Sequence, residues 1–358
     1  MKTNKRTLIG IFAAIAMLTI ILDGKTAISS AVDAINLCFQ SVIPTLLPFF
    51  FLSGLLNSYL FGRKIRTLKW LESFCKIPTG SVSIFLIGLV SGYPVGAQLV
   101  FQSYKSGGLD EISAKRMLGF CSNAGPAFIF GILAPLFSNA RISWALWLIH
   151  IISAIFASRF LPAIKKSKCI ISDTYTITMS QSLQNALRTA ATVCGWVLMF
   201  RVLIGFLQRW FLWLFPIEIR ILLCGILELT NGCTMLSMIS QESLRFILAS
   251  VLLSAGGLCV IMQTGSVSQS LGFGLYFPGK LVQTIASFLL SVYFQPILFD
   301  KNDMINIHPI IISTLITVLV IGYVLTSKKV VDFMKRLLYN SGRNADSKGE
   351  SVCYFAKE

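Results

Sequence analysis

The sequence predicts an all-α, polytopic membrane protein, and three observations carry that reading. Charged residues make up only 13% of the 358 positions and hydrophobic ones 55%, where a soluble domain carries roughly 25% charge. The apolar residues come in long blocks, several reaching the roughly 20 residues that cross a bilayer core. The blocks are continuous rather than alternating, which selects helices over a closed barrel, the two ways of pairing every backbone group in lipid.

The elements follow in order. Lys2, Lys5 and Arg6 precede an apolar run over 8–22. Asp23-Gly24-Lys25 follows in place of a small-residue cleavage site, so the run reads as an uncleaved first span rather than a signal peptide. A second span covers about 34–61, and then comes an interrupted block, 81–104, broken at Ser91-Gly92-Tyr93-Pro94-Val95-Gly96. Its two arms are each too short to span. Spans are expected at about 117–137, 143–163 and 190–214. A second interrupted block, 217–240, breaks at Glu228-Leu229-Thr230-Asn231-Gly232, and spans follow at 245–271, 280–299 and 308–326. The membrane domain thus runs over 1–327, and 328–358 is a polar cytoplasmic tail.

Charge decides which blocks cross. The 31 Lys+Arg outnumber the 15 Asp+Glu, giving a net charge of +16. The basic residues gather at block ends, the signature of cytoplasmic loops, and no basic-aromatic patch suggests nucleic acid. Arg63, Lys64, Arg66, Lys69 and Lys76 precede the first interrupted block, and Lys105, Lys115 and Arg116 follow it. Both flanks are basic, so the block enters and leaves from the same cytoplasmic side. About eight crossings plus two re-entrant helical hairpins then place every basic cluster, including Lys165, Lys166, Lys168, Lys328 and Lys329, on one side with both termini. Only the isolated Arg209, Arg220 and Arg245 fall elsewhere. The nine cysteines form no C-x-x-C pair, and there are only two histidines, His150 and His308. A metal site is therefore not expected.

The two halves echo each other. Ser41-Val-Ile-Pro-Thr-Leu-Leu-Pro-Phe with Gly54 resembles Thr192-Val-Cys-Gly-Trp-Val-Leu with Gly205. Gly88-Leu-Val-Ser-Gly-Tyr-Pro resembles Gly225-Ile-Leu-Glu-Leu-Thr-Asn, and Ser122-Asn-Ala-Gly-Pro resembles Leu253-Ser-Ala-Gly-Gly. Repeat one spans about 34–137 and repeat two about 190–271. With one hairpin entering from inside and the other from outside, the repeats are inverted, a layout many secondary transporters share.

The breaks gather the unusual polar residues. Ser91, Gly92, Tyr93 and Gly96 lie in the first, and Asn123 and Gly125 in the span after it. Glu228, Thr230 and Asn231 lie in the second, with Gly256 and Gln263 in its following span. Helix breaks expose unpaired N–H groups that suit anions and C=O groups that suit cations. Arg201 and Glu228 stand inside apolar blocks. Such charges face a partner or a cavity: either they form ion pairs that fix packing, or they line a solute path, Arg201 as counter-charge to a carboxylate and Glu228 as a proton or cation site.

S-G-Y-P-V-G-A (91–97), F-C-S-N-A-G-P-A-F-I (120–129), L-E-L-T-N-G (227–232) and S-A-G-G-L (254–258), followed by Lys280, resemble the YlbJ-like sporulation integral membrane proteins of the nucleoside-recognition, or Gate, domain superfamily. The resemblance covers roughly 30–300 and implies a fold similar to concentrative nucleoside transporters. It also implies a role in endospore formation: moving dipicolinic acid, a small planar dianion, from the mother cell across the outer forespore membrane. Transport of a small polar or anionic solute is thus the leading expectation, with a non-transporting membrane factor or a nucleoside- or ion-type transporter as alternatives. The bilayer and a small-molecule solute are the expected partners. No cofactor is expected, and a coupling ion (H+ or Na+) and the oligomeric state stay open. The lack of a metal cluster, a Ser-His-Asp set or paired carboxylates argues against an enzyme.

Overall fold

A computed structural model describes residues 2–60, 68–162, 177–268 and 271–305. The expected span at 308–326, the tail 328–358, and the basic residues Arg63, Lys64, Arg66, Lys165, Lys166, Lys168, Lys328 and Lys329 lie outside the described residues. Fifteen α-helices and no β-strand occur among the described residues. Six helical segments there are long and apolar enough to cross a membrane: Gly24–Tyr59, Glu111–Leu136, Ala140–Phe160, Met179–Trp210, Glu242–Ser268 and Tyr276–Leu298.

Helix α1 is Lys2–Leu22, and its apolar stretch Thr7–Leu22 is shorter than those six. Only Asp23 separates it from α2, Gly24–Leu37, where its side chain accepts from Thr26 N and caps the new helix. The expected loop over 23–33 is therefore helix: no breaker follows Gly24, and the cap satisfies the first turn. A π-helical turn, Cys38–Val42, joins α2 to α3, Ile43–Leu60.

After a short α4, Lys69–Cys75, the first interrupted block folds as α5, Val82–Ser91, and α6, Val95–Lys105. The turn between them holds Gly92 at φ 79° and a cis Tyr93–Pro94 bond. Helix α7, Glu111–Cys121, breaks at Ser122–Gly125 and resumes as α8, Pro126–Phe128, with π and 3₁₀ turns to Leu136. Helix α9, Ala140–Phe160, is unbroken.

The second half repeats this order. Helix α10, Met179–Trp210, starts earlier than the expected 190 because Thr178 and Gln181 form a reciprocal capping box. Helices α11, Ile217–Leu227, and α12, Leu229–Met235, form the second interrupted block. Helix α13, Glu242–Ala255, breaks at Gly256 and resumes as α14, Gly257–Ser268. Helix α15, Tyr276–Leu298, is again unbroken. Both halves read long helix, helical hairpin, broken helix, unbroken helix.

Equivalent helices of the two halves run antiparallel. Ile177 N donates to Ser58 Oγ, Ser182 Oγ to Phe51 O, and Arg201 pairs with Asp33, so α10 descends where α2 and α3 ascend. Helix α9 lies parallel to α13, with Ser138 against Glu242 and His150 against Ser254. Helix α7 lies parallel to α15, with Lys115 O accepting from Leu275 N and Asn123 Oδ1 from Gln283 Nε2. Small residues recur at the matching contacts. Gly54 packs on Ser182, and its counterpart Gly205 packs on Ser30. The arms of each hairpin meet at paired glycines, Gly88 with Gly96 and Gly225 with Gly232; an added Cβ would collide with the Cys121 carbonyl at Gly88 or Gly96, with Leu252 at Gly225 and with the Gly225 backbone at Gly232.

The feet of each hairpin are tied down by an arginine. Arg116 on α7, only 1% exposed, donates to the carbonyls of Cys75, Lys76, Ser158 and Pro162. It ties α4 and the end of α9 to α7, beside the entry to α5. Arg245 on α13 does the same at the opposite end, donating to Leu136 O and Ile239 O. Arg116, expected as a loop charge, is instead buried as a clamp on helix ends. Lys69, Lys76, Lys105, Lys115 and Arg159 share its end of the molecule with Glu72, Asp110 and Glu111. Two apolar cores flank the midplane, one around Phe85, Met117 and Phe120, the other around Ile129, Leu146 and Phe246.

Candidate functional site

Both hairpin tips and both helix breaks converge halfway along α9. The local chemistry explains why the chain breaks there. At the second tip Glu228 is extended, and its carboxylate accepts from Thr230 N (2.9 Å), Asn231 N (2.7 Å) and Asn231 Nδ2 (2.6 Å). It ends α11 and caps α12 with the same residue. At the first tip and at the break between α13 and α14 glycines adopt positive φ, Gly92 at 79° and Gly256 at 78°, which other residues reach only with strain.

Three long side chains stitch the breaks together. Tyr93 Oη, at the first tip, donates to Leu253 O (3.2 Å) at the end of α13. Lys280 Nζ on α15 donates to Tyr93 Oη (3.1 Å) and to Gln283 Oε1 (2.9 Å). Gln283 Nε2 in turn donates to Asn123 Oδ1 (2.9 Å), and Asn123 Nδ2 to Phe120 O (2.6 Å). From the other side, His150 on α9 accepts from Ala124 N (3.1 Å) through Nε2, and its Nδ1 faces Ser254 Oγ at 3.4 Å. Accepting at Nε2 puts the neutral ring's proton on Nδ1, so this one imidazole bridges both broken helices.

A cleft with an atom-free volume of about 440 Å³ opens among these elements. Ser91, Gly92, Tyr93 and Gly125 line it from the first half, and Glu228, Thr230 and Gln263 from the second. Leu46 of α3 and Val193 and Val197 of α10 close one side. Ser91 Oγ is buried and has no hydrogen-bond partner among the described residues. Four expected residues stand directly behind the lining. Gly96 lies at the hairpin crossing, Asn123 in the Lys280 network, Asn231 under the Glu228 carboxylate and Gly256 against the Tyr93 hydroxyl.

Arg201 is not brought to the cleft. It pairs with Asp33 at 3.1 Å, and the Asp33 side chain is 58% exposed. That pair anchors α10 to α2, the packing role of the two left open by the sequence. Asp33, just ahead of the expected second span, was the overlooked partner.

The sequence reading missed Lys280, Gln283 and His150 as site residues. Lys280, at the expected start of the 280–299 span, was named only with the motifs of the family resemblance and given no role at the breaks. Helix α15 begins at Tyr276, which carries Lys280 one turn inward to 5% exposure. Glu228 is 2% exposed. Among the described residues neither has an oppositely charged partner within salt-bridge distance. Burying an ionisable side chain without a counter-charge is costly, and both lie at this cleft or bonded to its lining.

A second cleft of about 450 Å³ runs beside the first hairpin. It is lined by Phe50, Ser53, Gly54 and Asn57 of α3, by Val95, Gln98, Leu99 and Gln102 of α6, and by Ser182, Asn185, Ala186 and Thr189 of α10, with Ile177 at the start of α10.

No family model matches the chain, and no solved structure matches it. Over 138 residues it is 28% identical to the sporulation integral membrane protein YlbJ of Bacillus subtilis (strain 168). The match covers 38% of this chain and 34% of that protein, so the chain spans about a third of the length of the curated relative. With six membrane-length apolar helices and this likeness, the chain is a multi-pass α-helical membrane protein similar to a sporulation integral membrane protein.

Proposed function

We propose that the protein is a transporter of a small polar or anionic solute during endospore formation, and that dipicolinate is the solute, moved from the mother cell across the outer forespore membrane. The observation that carries the reading is the cleft where two helical hairpins and two broken helices meet, lined by Glu228 from one hairpin tip and by Tyr93, to which Lys280 is bonded, from the other. Buried ionisable groups without an oppositely charged protein partner suit a site whose partner is the solute.

In this reading α5/α6 and α11/α12 are re-entrant hairpins. Their arms are 10 and 11, and 11 and 7, residues long. At about 1.5 Å per residue none covers the roughly 30 Å core. The antiparallel pairing of equivalent helices supports an inverted repeat, with about eight crossings once the first and last apolar blocks are counted. The basic excess at the Arg116 end supports a cytoplasmic placement of that end. Lys280, rather than Arg201, takes the role of counter-charge, setting a positive potential behind the first tip, where the N-terminus of α6 adds donors. Glu228 is the acceptor on the opposite wall.

Spores of a deletion strain test the assignment. They are expected to contain little dipicolinate, with recovery on complementation by the natural gene or Arg201→Ala and none by Lys280→Met, each confirmed present in membranes. Normal dipicolinate in the deletion strain would remove dipicolinate as the solute. Equal rescue by Lys280→Met would remove the cleft as its site.

A further inference from the structure

We propose that the groove between α3, α6 and α10 is a water-filled entry route for a small hydrogen-bonding solute, leading to the central cleft from one end of the molecule only. The inference rests on the transport reading for its solute, but its geometry stands apart from it.

Each of the three helices turns one stripe toward the groove at i, i+3, i+4, i+7 spacing, and each stripe continues into the central cleft. Positions 57, 53 and 50 of α3 lead to Leu46. Positions 182, 186 and 189 of α10 lead to Val193 and Val197. Positions 102, 98 and 95 of α6 lead to Tyr93. The two clefts therefore lie along one seam. Its outer part is rich in amides, and Asn57 is 6% exposed with an Oδ1 that has no hydrogen-bond partner among the described residues. Leaving a buried amide oxygen unpaired is costly, so this one calls for water or a passing donor in the groove. The seam then narrows to an apolar neck where Phe50 and Val95 pack with Ala186, Ala190 and Val193. Neutral amides and hydroxyls suit a transient outer station: they exchange hydrogen bonds with a polar solute without holding it by charge.

The antiparallel arrangement provides an internal control. The equivalent seam at the other end, between α10, α11 and α12, is lined by apolar side chains instead of amides. Ile204, Leu212 and Cys224 form an apolar cluster there with Leu207, Leu227 and Met235. Gln208, where the first groove carries amides, is turned toward the sulfurs of Cys224 and Met235.

Single cysteines probed with a membrane-impermeant sulfonated maleimide test the route in sealed vesicles of both orientations. The protein with its natural cysteines gives the baseline, and exposed Gln181→Cys near the groove mouth serves as the folding and orientation control. Gln98→Cys and Gln102→Cys are expected to react from the same face as the control and at least about tenfold faster than Ile204→Cys or Met235→Cys, because thiol reactivity follows exposure to water. Phe50→Trp, which fills the neck, should leave labelling at 102 intact. No reaction at 98 and 102 while position 181 reacts overturns the proposal, as does equal reaction at the α12 side. Labelling needs no solute, so an unreactive groove in a protein that still transports would retire the route alone.

Discussion

Lys280 Nζ lies 3.1 Å from Tyr93 Oη, joining α15 of the second half to the hairpin tip of the first. The same hydroxyl donates to Leu253 O, so one tyrosine holds a buried lysine and a broken helix together. The ammonium also lies 5.1 Å from the Tyr93 ring centroid and 5.9 Å from that of Tyr276, so the rings help stabilise it in place of a carboxylate.

Lys280→Met removes the charge and keeps the volume. Gln283 Oε1 loses a donor, a cost of about 1–3 kcal/mol, but the penalty of burying an unpaired cation disappears. Thermal unfolding in detergent should therefore shift little or upward, while transport falls to background. A variant that unfolds early would instead mark Lys280 as a structural residue.

Arg201→Ala should be nearly silent. Its pair with Asp33 is partly exposed, and such pairs contribute about 0–1 kcal/mol. Unfolding temperature and solute uptake should both match the parent protein. Loss of uptake with the fold intact would place Arg201 in the solute path after all.

Arg116→Lys should be strongly destabilising despite the retained charge. A single ammonium has one nitrogen to reach carbonyls on α4, α9 and the segment after α9, which the planar guanidinium contacts from three nitrogens. A loss of roughly 3–5 kcal/mol is expected, as for breaking a buried charged network. Thermal unfolding and membrane yield check it.

Gly232→Ala places a methyl group against the backbone of Gly225. Overpacking of this kind costs about 1–3 kcal/mol, and the second hairpin should open before the bundle does. Hydrogen exchange over 217–238 should rise relative to α9. Unchanged exchange there would show that the crossing yields without strain.

Much of this architecture was legible because it rests on local rules. Gly88 and Gly225 were matched as repeat positions from sequence, and both prove to be hairpin crossings. Gly54 and Gly205 were matched too, and each packs on a serine of the other half's long helix or its neighbour. Ser91, Tyr93, Glu228 and Thr230 were legible because helix breakers and polar residues inside apolar blocks are scarce. Arg201 and Lys280 were misjudged for one reason. A charge in an apolar block belongs to whatever lies across from it, and pairing over long sequence separations leaves no local trace. Arg201 finds Asp33, 168 positions away, and Lys280 finds Tyr93, 187 away. His150 was hidden likewise: an isolated histidine in an apolar helix gives no sign that its partners are Ala124 and Ser254.

The central claim is that solute passes through the cleft between the hairpin tips. Uptake of radiolabelled dipicolinate into proteoliposomes holding the purified protein, Lys280→Met or Arg201→Ala tests it most directly, with empty liposomes as baseline. The account predicts uptake above baseline for the parent protein and Arg201→Ala, and baseline uptake for folded Lys280→Met. Uptake by Lys280→Met equal to the parent, or baseline uptake by a folded parent protein that also fails to restore dipicolinate to deletion-strain spores, would contradict it.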